Sequence, residues 1–169
     1  MNRAFFGLRD WLRMACLACL LTLSACASGP RMVDHAFGFD ARIDSPNALI
    51  LNYRYGTSKK PSTSGDNDIR DFGKSNQSGN INGGMPLGET LYVKWQDKAS
   101  GQTYEDTVDL KPLLPARMEH KRIYFVVQGA QLHVYLIEES IPRPANWPKL
   151  GPSKFQYEKT QQIYPTRLP

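Results

Sequence analysis

The sequence predicts an all-β protein, an antiparallel β-sandwich of about seven short strands interrupted by one long polar loop. Three observations carry this fold class. Apolar residues recur at every second position in several short runs, turn-forming Gly, Pro, Asn and Asp punctuate those runs, and helical periodicity is nearly missing beyond residue 32. Strands without helical crossovers bury their apolar faces by stacking one sheet on another.

The first run sets Val33, His35, Phe37 and Phe39 against Asp34, Ala36, Gly38 and Asp40. After a turn at Asp44-Ser45-Pro46-Asn47, Leu49, Leu51, Tyr53 and Tyr55 alternate with Ile50, Asn52 and Arg54. Each run has the period of a half-buried strand. A hairpin follows: Leu91, Val93 and Trp95 share one face, Lys98 to Gly101 reverses the chain, and Tyr104, Asp106, Val108 and Leu110 return. Past the Pro112 to Pro115 break, the run from Ile123 to Val127, the turn Gln128-Gly129-Ala130 and the alternation of Leu132, Val134 and Leu136 make a second, more apolar hairpin. Prolines between Ile141 and Pro152 predict an extended crossing with Trp147 in its middle, then a last strand around Phe155 to Ile163. Only Leu113 to Glu119 offers a turn of helix, and Pro115 limits it.

Between Gly56 and Glu89 the chain is dominated by Gly, Ser, Asn, Asp and Lys, and a connection of that length is expected to be mobile or functional. Its apolar residues Ile69, Phe72, Ile81 and Met85 suit a segment that orders on a partner.

The first 25 residues follow different rules. Arg3, Arg9 and Arg13 precede the apolar run from Met14 to Leu23, which is too short for a permanent membrane span and has the layout of an export signal. It ends in Leu23-Ser24-Ala25-Cys26, the lipobox pattern of an apolar residue, two small residues and a thiol for acylation. The organisation expected is a signal peptide over 1–25, a lipidated tether over 26–32 and one sandwich domain over 33–165, with Cys26 as the lipidation site. Two or more acyl chains would anchor such a protein stably. Ala27 in place of an aspartate points to the periplasmic side of the outer membrane, with the inner membrane as the alternative. Cys16 and Cys19 leave with the signal, so no disulfide is expected and a packed core must supply stability.

Removing 25 residues from 169 leaves 144, a common single-domain size. The mature chain has 18 basic and 15 acidic residues, and its one basic pair, Lys59-Lys60, lies in a Ser/Thr/Pro-rich stretch. Such a balance argues against nucleic acid as a partner. No catalytic set is legible. Gly73-Lys74-Ser75-Asn76-Gln77 lacks the second glycine of a nucleophile elbow, and His35, His120 and His133 lie on or beside apolar strands. Asp66-Asn67-Asp68 followed by Asp71 departs from a calcium loop at Arg70 and Asp71, so neither metal nor cofactor is expected. Glu105, Asp106 and Asp109 fall on both sides of one strand, which suits a solvated face or a partner for Lys94 across the hairpin.

The segments Leu91-Tyr92-Val93-Lys94-Trp95, Tyr104 to Leu110, Ile123 to Val127 with Leu132 to Leu136, and Gln162-Ile163-Tyr164-Pro165 resemble small proteobacterial lipoproteins that act as immunity proteins of type VI secretion phospholipase effectors. The resemblance implies a non-enzymatic partner of a secreted phospholipase, held at the membrane by its lipid and acting by covering the active-site entrance or lid. A structural or assembly lipoprotein of an envelope machine is the alternative, and an envelope hydrolase a third reading. Because aromatics and arginines dominate interface energetics, the expected partner-binding residues are Arg70, Asp71 and Phe72 in the long loop, with Trp147. Trp147 has a competing role as a plug beneath the proline-rich tail.

Overall fold

The computed structural model describes residues 31–60, 62–66, 77–148 and 151–166. Its elements in chain order are β1 (Met32–Asp40), a single helical turn α1 (Ala41–Asp44), β2 (Ala48–Tyr55), β3 (Ser64–Asp66), β4 (Ser78–Pro86), β5 (Thr90–Asp97), β6 (Thr103–Asp109), β7 (Lys121–Gln128), β8 (Gln131–Pro142), a 3-10 turn at Ser153–Phe155, and β9 (Glu158–Tyr164). One sheet has the order β4-β1-β7-β8-β9 and the other β3-β2-β5-β6. The all-β sandwich is therefore shown, and both hairpins form where the alternation places them.

The core lies between the sheets. Phe37 stacks on Tyr55 at 4.5 Å between ring centroids, Phe39 stacks on Phe125 at 4.5 Å, and Tyr53 meets Phe39 edge-on at 4.7 Å. Strand alternation puts Leu91, Val93 and Trp95 on the inward face of β5, each essentially inaccessible to water. The core residues all come from Val33 to Ile163.

Four expectations are corrected. The Gly56 to Glu89 stretch is not one long loop, because it contains β3 and the nine-residue β4, which brings the count of strands to nine. β4 pairs with β1 from Met32 opposite Pro86 to Asp40 opposite Ser78. Its inward positions are Gly79, Ile81, Gly83 and Met85, and glycines alternating with apolar residues hide the period-two signal in a composition that reads as a turn. Next, β2 does not keep one apolar face. A bulge between Ile50 and Asn52 flips the alternation, so Ala48 and Ile50 join Tyr53 and Tyr55 in the cluster between the sheets, while Leu49 and Leu51, also buried, do not belong to it. Where β3 runs out, the Gln77 side chain completes the strand: its carbonyl oxygen accepts from Ile50 N at 2.9 Å and its amide donates to Ile50 O at 3.0 Å.

The third correction concerns direction. β1 and β7 run parallel, Phe37 opposite Ile123, although every other pair is antiparallel. A parallel neighbour needs a long crossover, and here the whole second sheet serves as that crossover. The fourth is the stretch Leu113 to Glu119, which forms turns rather than helix, with Met118 buried beneath them.

β1 is also covered on both faces. Gly38 has room only for hydrogen, since a Cβ there would stand 2.7 Å from Gly79 O and 3.4 Å from an Arg122 guanidinium nitrogen. On that outer face of the first sheet, Tyr124, Tyr135 and Ile137 form a second small core under Phe155. The tail between β8 and β9 supplies that cover.

The register defines two ends. At one, which we call the Met32 end, β1 and β9 begin and β4 and β8 finish. At the other lie the β7–β8 turn at Gly129 and the β5–β6 turn at 98–101, tied together by Trp95 Nε1 donating to Gly129 O at 2.8 Å.

Within the core, the first sheet meets the second through His35, which is 3% exposed. Its Nδ1 lies 2.9 Å from Val33 O and its Nε2 2.8 Å from the Tyr55 hydroxyl. A carbonyl only accepts, so Nδ1 carries the proton and Nε2 accepts from Tyr55. Burial holds the imidazole below its ordinary value of 6.5, and burial pushes the Tyr55 phenol well above its own. A histidine kept neutral in the folded state binds its proton more readily once unfolded. Stability is therefore expected to be complete above about pH 6.5 and to decline as pH falls through that value towards the folded pKa. Urea midpoints between pH 8 and pH 5 should shift downwards, and His35→Gln should flatten the part of the slope between them.

Candidate functional site

At the Gly129 end a cavity of about 350 Å³ opens between the α1–β2 connection, the end of β5, the β7–β8 turn and residues 151–153. Its walls are set by short-range chemistry. Ser45, in the turn after α1, accepts from Val127 N at 2.9 Å and so ties that turn to β7. Asp44 accepts from the Tyr124 hydroxyl at 2.8 Å and from Ser153 N at 2.6 Å, which fastens the tail to the same corner. Burial first, and then the hydrogen bond to Asp44, raise the Tyr124 phenol far above its usual range. On the opposite wall Asp97 accepts from Ser100 N at 2.7 Å and from the Ser100 hydroxyl at 2.8 Å. Those donors hold its carboxyl below the usual range. His133 stacks over Tyr135 at 6.4 Å on the floor side.

Both carboxylates thus serve as turn anchors, and neither meets a histidine-activated hydroxyl in the bonds described. General acid–base work requires a paired, poised acid and base within reach of one another. The cavity presents polar groups, fixed by short hydrogen bonds, around a recess. The three histidines do not converge: His35 is in the core, His133 lines the cavity, and exposed His120 occupies a turn with φ +56°. Among the described residues no group of three or more His, Cys, Asp or Glu side chains is placed to hold a metal ion.

Of the residues expected to bind a partner, Arg70, Asp71 and Phe72 lie outside the described residues, as does Cys26. Trp147 is half-buried. Its Nε1 donates to Thr160 O at 2.7 Å, and the Lys159 ammonium stands 5.3 Å from its ring centroid. The indole pins the proline-rich tail to β9 rather than plugging the end of the sandwich. Trp147→Phe keeps an aromatic ring but leaves the Thr160 carbonyl without its donor, so chemical denaturation should show a loss of about 1 kcal/mol.

The acidic strand β6 divides its groups as its period requires. Glu105 faces outwards, accepting from the Tyr92 hydroxyl at 2.9 Å with Lys94 3.8 Å away, the cross-strand pair expected. Asp106 points the other way and accepts from Tyr164 of β9 at 2.9 Å, closing one side of the sandwich. As a result β6 is a charged edge. β4, the terminal strand of the other sheet, carries no charged residue along Ser78–Pro86. Uncharged edges invite pairing with another chain, and charged ones resist it.

Sequence reasoning missed the Arg122 cluster on the outer face of the first sheet. Arg122 donates through Nε to Glu139 at 2.7 Å and through Nη1 to Asn80, and its guanidinium lies 5.5 Å from the Phe155 centroid. A cation directly ahead of the apolar run Ile123 to Val127 was the only signal available, because its partners come from β4, β8 and the tail. No family model, curated protein or solved structure matches the chain.

Proposed function

We propose that the protein is a lipid-anchored protein of the bacterial envelope that binds and neutralises a secreted phospholipase effector, acting without catalysis of its own. One observation carries the anchoring: the lipobox cysteine, Cys26, stands six residues before the first strand of the sandwich. At about 3.3 Å per residue such a tether reaches about 20 Å, so the domain would work beside the bilayer that a phospholipase attacks. Confinement there raises the effective concentration of a binder where its target must act. A recess walled by fixed polar groups at one end of the domain is compatible with covering an active-site entrance.

Two measurements test this reading. Cys26→Ser should remove the acyl mass and release the protein from membranes, whereas full membrane retention at unaltered mass would refute the anchor. A phospholipase encoded beside this protein should poison the periplasm less when the two are co-expressed, and equal toxicity would refute the partner. The uncharged edge of β4 favours a second reading, a structural lipoprotein docked on a larger envelope assembly. Affinity purification from membranes separates the two, since an assembly component would bring down one apparatus and an inhibitor one toxin.

A further inference from the structure

The two ends of the sandwich differ in kind. At the Gly129 end the connections are polar: the β5–β6 turn reads Lys98-Ala99-Ser100-Gly101-Gln102 and the β7–β8 turn is flanked by Gln128 and Gln131. At the Met32 end they set apolar residues among exposed cations, Lys59 and Lys60 between β2 and β3 and Arg117 before β7. Four large hydrophobic residues are exposed among those described, and three of them, Met32 at 63%, Ile141 at 46% and Tyr157 at 76%, belong to this end. The fourth, Ile43, sits on α1.

The register brings the three together. β1 starts at Met32 opposite Pro86, Ile141 lies in the overhang of β8 beyond Glu138, and Tyr157 immediately precedes β9, where Glu158 stands opposite Pro142. Arg143 N donates to Tyr157 O at 2.8 Å, which fixes the tyrosine beside that overhang. The half-buried Leu87, Leu113 and Leu114 pack against the core from connections at the same end.

Charge decides which chemistry fits. Of the cations here, Lys111 lies 3.1 Å from Glu89 and Lys121 lies 3.7 Å from Glu138, while Lys59, Lys60 and Arg117 are exposed. Exposed cations beside a tyrosine and two aliphatic side chains match the boundary between headgroups and acyl chains. Strand β1, whose first residue is Met32, is also the point where the chain continues back towards Cys26.

We propose that the Met32 end is a lipid-contact surface on which Met32, Ile141 and Tyr157 enter the interface of a phospholipid bilayer. This rests on the lipid-anchor reading of Cys26, because three side chains alone bind weakly and the tether keeps them at high effective concentration. The contact sets the orientation of the domain and turns the cavity at the Gly129 end towards the opposite side.

The test uses the full chain in living cells. A photoreactive benzoylphenylalanine is introduced at position 141 or 157, with positions 99 and 131 as controls at the other end, and intact masses are measured after irradiation. Adducts of phospholipid mass should form several-fold more at 141 and 157 than at 99 and 131. Equal yields at the two ends would overturn the proposal. The same spectra report acylation of Cys26: acyl present with equal yields means that the contact fails and the anchor stands. Acyl absent means that the anchor fails, and the yields then decide the contact alone.

Discussion

Trp95→Ala is expected to destabilise the protein by about 4 kcal/mol, the usual scale for deleting a buried tryptophan. The side chain is 1% exposed, lies against Tyr104 with ring centroids 5.8 Å apart, and donates from Nε1 to Gly129 O. Alanine would open a void between the sheets and release the β7–β8 turn from β5. A domain of this size has about 5–15 kcal/mol in total, so the variant should unfold at much lower urea with a similar slope. Trp95→Phe separates the two contributions. It keeps most of the volume and loses the hydrogen bond, for which about 1 kcal/mol is expected. If phenylalanine cost as much as alanine, packing would not be the main role of this residue.

The second large effect is expected at Arg122. With a side chain 7% exposed and bonded to Glu139, Asn80 and the face of Phe155, it is the most buried cation among the ion pairs described. Removing one partner of a buried pair leaves the other charge uncompensated, and the cost is about 3 kcal/mol. Glu158 sharpens the case, since burial, and then the neighbouring Glu139, raise its carboxyl while Arg122 opposes them. Arg122→Leu should therefore weaken the protein strongly and loosen the tail over Phe155. Adding Glu139→Leu should recover most of the loss, because apolar replacement of both partners is often neutral. Denaturation of the two single variants and the double variant gives the coupling energy, and a coupling near zero would show that the pair is ornamental.

What was legible in the sequence follows from the distance over which each signal acts. Alternation is a property of neighbouring residues, so the two hairpins can be read directly: Leu91, Val93 and Trp95, like Leu132 and Val134, point inwards as their spacing requires. The bulge at Leu51 was not legible. Four residues in a row, Ala48 to Leu51, and Tyr53 after Asn52 are apolar enough for either face, and only the match to β5 selects the shift. β4 was hidden for a related reason, since glycine and asparagine avoid strands unless a partner such as β1 compels them. Arg122, Glu139 and Asn80 come from three separate stretches, and no local pattern announces a bond between them. Trp147 was expected at a partner interface, and the bond its indole makes is to Thr160 O, which ties the tail to β9.

The parallel pairing of β1 with β7 dictates the order in which the molecule can assemble. The second sheet, and β4 on one edge of β1, can pair as soon as β6 exists, but the other edge of β1 must wait for β7, with the whole second sheet intervening in the chain. Contacts so remote in sequence slow the search for the native state, and folding on the millisecond-to-second scale of β-rich domains is the consequence. Fragments that stop short of Lys121 would leave one edge of β1 unpaired, a state prone to aggregation until β7 arrives.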